Sequence, residues 1–112
     1  MTEKWPFEAQ VREVVELLVR GDYAAIEQRT GGVRLHAEHF AEAVAEYGRR
    51  LVVPPSGAAP LDVIEFQDGS GWAVVVDLWT AEDGESDLSL ELTVRRSQVG
   101  PLRIEVDNLH VM

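Results

Sequence analysis

The chain has 112 residues, room for one domain and no second core, and its 46% hydrophobic and 27% charged residues with five prolines describe a globular protein. Ten Lys and Arg against twenty Asp and Glu give a net charge of −10, which repels phosphate backbones and argues against a nucleic-acid role. Without a cysteine, disulfides, thiolate metal sites and a cysteine nucleophile are all excluded.

The first predicted helix runs from Pro6 to Arg20, with Phe7, Val11, Val14, Val15 and Leu18 on one stripe and Gly21 as its stop. Asp22 is placed to cap a short second helix, Tyr23 to Gln28, with Tyr23 and Ile26 turned inward. Gly31-Gly32 reads as a turn. A third helix is predicted over Ala37 to Tyr47, burying Phe40, Ala43, Val44 and Tyr47, with Gly48 just past its end. The run Pro54-Pro55-Ser56-Gly57-Ala58-Ala59-Pro60 then stops helix and central strand alike and reads as a linker.

Beyond the linker the period changes to two. Leu61 to Phe66 is a predicted strand, and Asp68-Gly69-Ser70-Gly71 a hairpin turn. Trp72 to Thr80 is apolar on both faces, with Trp72, Val74, Val76 and Leu78 on one and Ala73, Val75 and Trp79 on the other; such a strand is expected to be central and covered on both sides. Leu88, Leu90, Leu92 and Val94 alternate with polar residues, so the next strand has one wet face. The last strand changes phase between Val106 and Leu109, and a bulge near Asp107-Asn108 would produce that slip. The expected fold class is α+β: two to three N-terminal helices packed on a four-stranded antiparallel meander in a single domain, residues 1–112, with a helical half at 1–50 and a strand half at 61–112. The charge follows the same division, −2 over residues 1–50 and −8 over residues 51–112.

Helix, short helix, helix and then antiparallel strands is an order that resembles the nuclear-transport-factor-like cone, shared by ketosteroid isomerase and polyketide-cyclase-like proteins. VREVVELLVRGDYAAI, Val11 to Ile26, looks like the opening of such domains. The resemblance implies a reduced cone with a pocket between sheet and helices. Tyr47-Gly48-Arg49, Pro54-Pro55, LWTAEDGESDLSLEL (Leu78 to Leu92) and DNLHVM (Asp107 to Met112) are similar to an uncharacterised family of small bacterial proteins classed as a domain of unknown function. That second resemblance spans nearly the whole chain and implies no activity.

Asp77 interrupts the apolar strand. Burial would raise its pKa toward the working range of a general acid or base, whereas a strand-end position paired with an Arg or a backbone N–H would be structural. With Tyr47 and Trp79 as walls, Asp77 defines a candidate sheet–helix pocket and a candidate catalytic residue. His36 and His39 stand three apart at the start of the third helix, but zinc needs three or four convergent ligands, so no metal and no cofactor are expected. Ser or Thr at 36 and Glu at 39 would form a capping box in the resembled family; both are His here. His110 is expected to face solvent.

Glu82, Asp83, Glu85, Asp87 and Glu91 form an acidic run with no basic residue. Reading Gly84 as the sixth position of a calcium loop puts Trp79 first, so that pattern fails. A solvated hairpin turn, with Asp83-Gly84 supplying positive dihedrals and Ser86-Asp87 tying the turn back, is the structural reading; a surface for a basic protein partner is the functional one. The serines at 56, 70, 86, 89 and 97 have no His at a suggestive spacing, and no phosphate loop or nucleophile elbow occurs. The leading expectation is therefore a non-catalytic binding or interaction module rather than an enzyme, forming a homodimer through the second sheet face. A ligand carrier or enzyme using Asp77, and an acidic partner-neutralising protein of immunity type, are the alternatives. No apolar run approaches the ~20 residues of a membrane helix, and the opening MTEKWPFEAQ has no signal-peptide core. The expected setting is the cytoplasm, away from membranes.

Overall fold

The computed structural model describes residues 5–31, 35–54, 61–96 and 102–111. Most of the proline-rich stretch (55–60), Gly32 and Ser97 lie outside those residues. Three helices come first: α1 (Glu8–Arg20), α2 (Tyr23–Thr30) and α3 (Ala37–Tyr47). Five strands follow: β1 (Leu51–Val52), β2 (Leu61–Glu65), β3 (Gly71–Thr80), β4 (Gly84–Arg95) and β5 (Arg103–Val111). The class is α+β, with the helices packed on an antiparallel meander.

Local signals place the helices. The stripe Val11, Val14, Val15 and Leu18 is buried, joined by Leu17 and by Phe7, which has no exposed surface. α1 begins two residues later than predicted. Pro6 sits in a turn closed by Glu8 N–H donating to the Trp5 carbonyl at 3.3 Å, and Trp5 stacks on Phe7, so packing of the aromatic pair sets the entry. Gly21 ends α1 in the left-handed region, and Asp22 caps α2 by accepting from Ala25 N–H at 3.4 Å. α2 runs two residues beyond its predicted end because the Thr30 hydroxyl, itself buried, donates back to the Ile26 carbonyl.

The sheet has five strands where four were expected. β2, β3, β4 and β5 form the predicted meander, and β1 adds to it by pairing with the far end of β3 (Leu51 with Thr80, Val52 with Trp79). β2 pairs with the near end, from Leu61 opposite Val76 to Glu65 opposite Trp72. β1 and β2 thus act as one edge interrupted opposite Asp77 and Leu78. Two residues ahead of a proline pair carry too little period to be read as a strand.

β3 is interior to the sheet, as predicted, but its two faces differ. Trp72, Val74, Val76 and Leu78 are buried in one cluster with residues of all three helices, Phe7 meeting Trp72 at 5.0 Å between rings. Ala73, Val75, Asp77 and Trp79 are only half-buried and lie outside that cluster. Among the described residues, the expectation of cover on both sides is therefore met on one side. The predicted bulge is present: Glu91 pairs with Asn108 and Leu92 with Val106, which leaves Asp107 as the extra residue. Gly71 starts β3 where a Cβ would stand 2.0 Å from the Val94 carbonyl oxygen, so only glycine lets β3 and β4 approach there. No helix among the described residues is long and apolar enough to cross a membrane.

Candidate functional site

Alternation in three strands decides which side chains reach the open face of the sheet. Leu90 pairs with Val76 and Leu109 on the covered face, so Ser89, Glu91, Thr93 and Arg95 of β4 point the other way. Asp77 lies opposite Ser89, and Ser89 lies opposite His110, in one row across β3, β4 and β5. The Ser89 hydroxyl donates to Asp77 Oδ1 at 3.4 Å, and His110 Nε2 contacts Glu91 Oε2. His110 is thus paired and half-buried where solvent exposure was expected. A two-residue offset across a strand pair is invisible to a reading that takes each strand alone.

A serine, a histidine and a carboxylate in one row, with a second carboxylate in the next, invite comparison with a hydrolytic triad, but the chemistry does not follow. The Ser89 hydroxyl gives its proton to Asp77 and not to an imidazole, and Ser89 is 1% exposed. A nucleophile needs the base on its own oxygen and room for a substrate carbonyl beside it. Nearby, the Thr93 hydroxyl donates to Asp107 Oδ2 at 2.6 Å, so the bulge residue is held flat against the sheet. Arg95 and Arg103 both engage Glu105, at 3.2 and 3.5 Å. These links make a rigid polar surface.

Beside the polar row, the open face has an apolar side made by Val75, Ala73 and Ile64, with Ile64 70% exposed. Trp79 continues it, its ring resting on Gly84, where a Cβ would lie 3.6 Å from the ring. Its indole N–H is buried and has no hydrogen-bond partner among the described residues.

Tyr47, Asp77 and Trp79 do not come together. Asp77 and Trp79 belong to the open face, while Tyr47 is on α3, on the covered side. The geometry does not form the expected sheet–helix pocket with Asp77 inside it. Tyr47 instead lines a different groove of about 350 Å³, open to solvent, between the last turns of α3 and the ends of β4 and β5. Leu88 and Leu109 form its apolar floor, with His110 and Val111 at the rim.

The acidic run is built into the fold. The Tyr47 hydroxyl donates to Asp87 Oδ1 at 2.7 Å, Arg49 Nε donates to Asp83 Oδ2 at 3.0 Å, and Arg50 N–H donates to Glu82 Oε1 at 3.0 Å. The segment after α3 therefore clasps the β3–β4 hairpin. Its electrostatic mark is twofold. The hydrogen bond to Asp87 raises the Tyr47 phenol above its ordinary value, and the Arg50 N–H lowers the Glu82 carboxyl. Asp83 has ordinary dihedrals; among the described residues only glycines take positive φ, and Gly84 alone supplies it here. Ser86 does tie the turn back, its hydroxyl donating to the Leu78 carbonyl at 2.8 Å and accepting from Leu88 N–H. Glu85, paired with Trp79, is exposed on the open face.

His36 and His39 begin α3. His39 Nδ1 accepts from His36 N–H at 2.8 Å, taking the part of a capping-box Glu, and Glu27 Oε1 accepts from Ala37 N–H at 2.7 Å. These side chains satisfy the helix start. Among the described residues no three His, Asp or Glu side chains are grouped to hold a metal.

What the fold and site define is a small helix-on-sheet domain with one sheet face left open by the described residues. Residues 15–112 match the model of a family described as Domain of unknown function (DUF7668), and the chain belongs to that family. Nothing matches among curated proteins or among solved structures.

Proposed function

We propose that this domain is a non-catalytic interaction module of the cytoplasm that receives a basic protein partner on the open face of its sheet. The open face itself carries the reading. Val75, Ala73, Ile64 and Trp79 offer an apolar strip on β2 and β3, toward one edge of the sheet, the kind of surface that association covers. Around it stand Asp62, Asp77, Glu85, Glu91, Glu105 and Asp107, against Arg95 and Arg103. Both arginines are already engaged by Glu105, so the face is acidic and complements a basic surface. The absence of cysteine is compatible with a reducing compartment. A second copy of the chain is the other candidate occupant, but face-to-face pairing would set this negative charge against itself.

Display of random peptides against the full chain tests the reading. Selection of Lys- and Arg-rich sequences with interspersed apolar residues, whose binding is lost in Ile64→Asp and Val75→Asp and weakens with salt, is the expected result. Binding that survives both substitutions would remove the open face as the site. A dimeric mass by light scattering that these substitutions abolish would give the face to a second copy instead.

A further inference from the structure

The groove beside α3 carries charge that no described cation engages. α3 has Glu38, Glu42 and Glu46 and neither Lys nor Arg. Glu42 and Glu46 are one turn apart and repel, and Glu46 lies in the last turn, at the negative end of the helix dipole. A cation belongs there on helix energetics, and the chain supplies a carboxylate. Local conflict of this kind concentrates at functional positions. Glu46 and the Tyr47 ring form one wall of the groove, and Asp87, bound to the Tyr47 hydroxyl, stands next to the floor residue Leu88. Among the lining residues there is no Lys or Arg. Val111, 51% exposed, extends the apolar floor formed by Leu88 and Leu109.

We propose that this groove holds an aliphatic cation, the side chain of a lysine or arginine from a protein partner, with its stem on Leu88, Leu109 and Val111 and its charge beside Glu46 and Asp87. A long basic side chain buries its stem on apolar surface and keeps its head among acids, and the groove presents those two environments side by side. An acidic mouth also excludes a carboxylate of the same length. The inference rests on the reading of the chain as a binder of basic proteins, yet it concerns a second surface, at the helix end of the molecule.

The test is a titration of the full, methyl-labelled chain with n-butylammonium, the lysine side chain in isolation, beside n-butanol and butyrate. Butylammonium should shift the methyl signals of Leu88, Leu109 and Val111 and saturate at about millimolar concentration, as so small a ligand permits. Butanol should bind about fivefold more weakly and butyrate not at all. Glu46→Gln, an exposed substitution, should weaken butylammonium by about threefold to fivefold and leave butanol unchanged. Equal binding of alcohol and ammonium, or indifference to Glu46→Gln, overturns the proposal. Shifts confined to Ile64 and Val75 also overturn it and leave the open-face reading standing. Saturation here with no selection of basic peptides by Ile64 and Val75 would remove that reading and keep the groove.

Discussion

Val75 and Val76 are neighbours in one strand with the same side chain, and they live in different surroundings. Val76 has no exposed surface and sits between Leu90 and Leu61 under the helices. Val75 is half-buried, between Glu91 and Asp62 on the open face. Hydrophobicity along β3 is the same for both, so it reports that each face can be buried and not that each is buried within the chain. What separates them is the company kept across the sheet: uniformly aliphatic on one side, mixed with carboxylates on the other. A face that mixes valine with acids is suited to meeting a partner and parting from it, whereas the aliphatic face is suited to permanent closure.

The contrast can be broken with one substitution made twice. Val76→Asp places a carboxylate where no water or partner reaches it and should cost more than about 4 kcal/mol, enough to unfold much of a domain of this size. Val75→Asp should stay within about 1 kcal/mol, because water reaches that face. Urea unfolding of the two variants reads the difference directly, and equal losses would mean that the open face is closed in solution. Gly71→Ala comes next. Its Cβ would meet the Val94 carbonyl at 2.0 Å, and separating the strands should cost about 1–3 kcal/mol in the same assay.

The smallest effect concerns the clasp between α3 and the β3–β4 hairpin. Tyr47→Phe removes a solvent-exposed hydrogen bond to Asp87 and should cost under about 1 kcal/mol, the low end for such bonds. Its pH dependence has a definite sign. The folded-state phenol is raised above 10.0, so its contribution is full below that value and fades as pH rises through the folded value. Glu82 behaves oppositely. Its carboxyl is lowered, so the bond from Arg50 N–H holds above 4.5 and is lost as acid takes the pH through the lowered value. The Arg50 amide shift, followed by NMR from neutral to acid pH, should therefore move below the usual glutamate range; movement centred at 4.5 would remove the bond to Glu82.

Much of the fold was legible because its signals are local. Asp22, Gly48 and the run from Ala37 to Tyr47 bound helices by capping chemistry that acts within four residues. The slip at Asp107 is a change of phase within one strand, so it could be placed without knowing the partner strand. β1 was not legible, since two residues before Pro54 acquire strand character only by pairing with Thr80 and Trp79. The candidate site was less legible still. Tyr47, Asp77 and Trp79 are residue types that suit a pocket, but the sheet sends one to the helix side and two to the open face. The open face as a unit, the His110–Glu91 pair and the groove beside α3 had no signal in any single segment.

The sequence by itself determined the helical start, the antiparallel strands, the bulge and the surplus of acid, all of which follow from short-range periodicity, capping and composition. Only the tertiary structure decided which side of β3 the helices would cover, where the acidic hairpin would be clasped, and what His110 would face. Those outcomes join positions 19 to 40 residues apart, such as His110 with Glu91 and Asp87 with Tyr47. Contacts of that range are fixed by which apolar surfaces the whole chain buries together, and the polar pairs take the positions that burial leaves them.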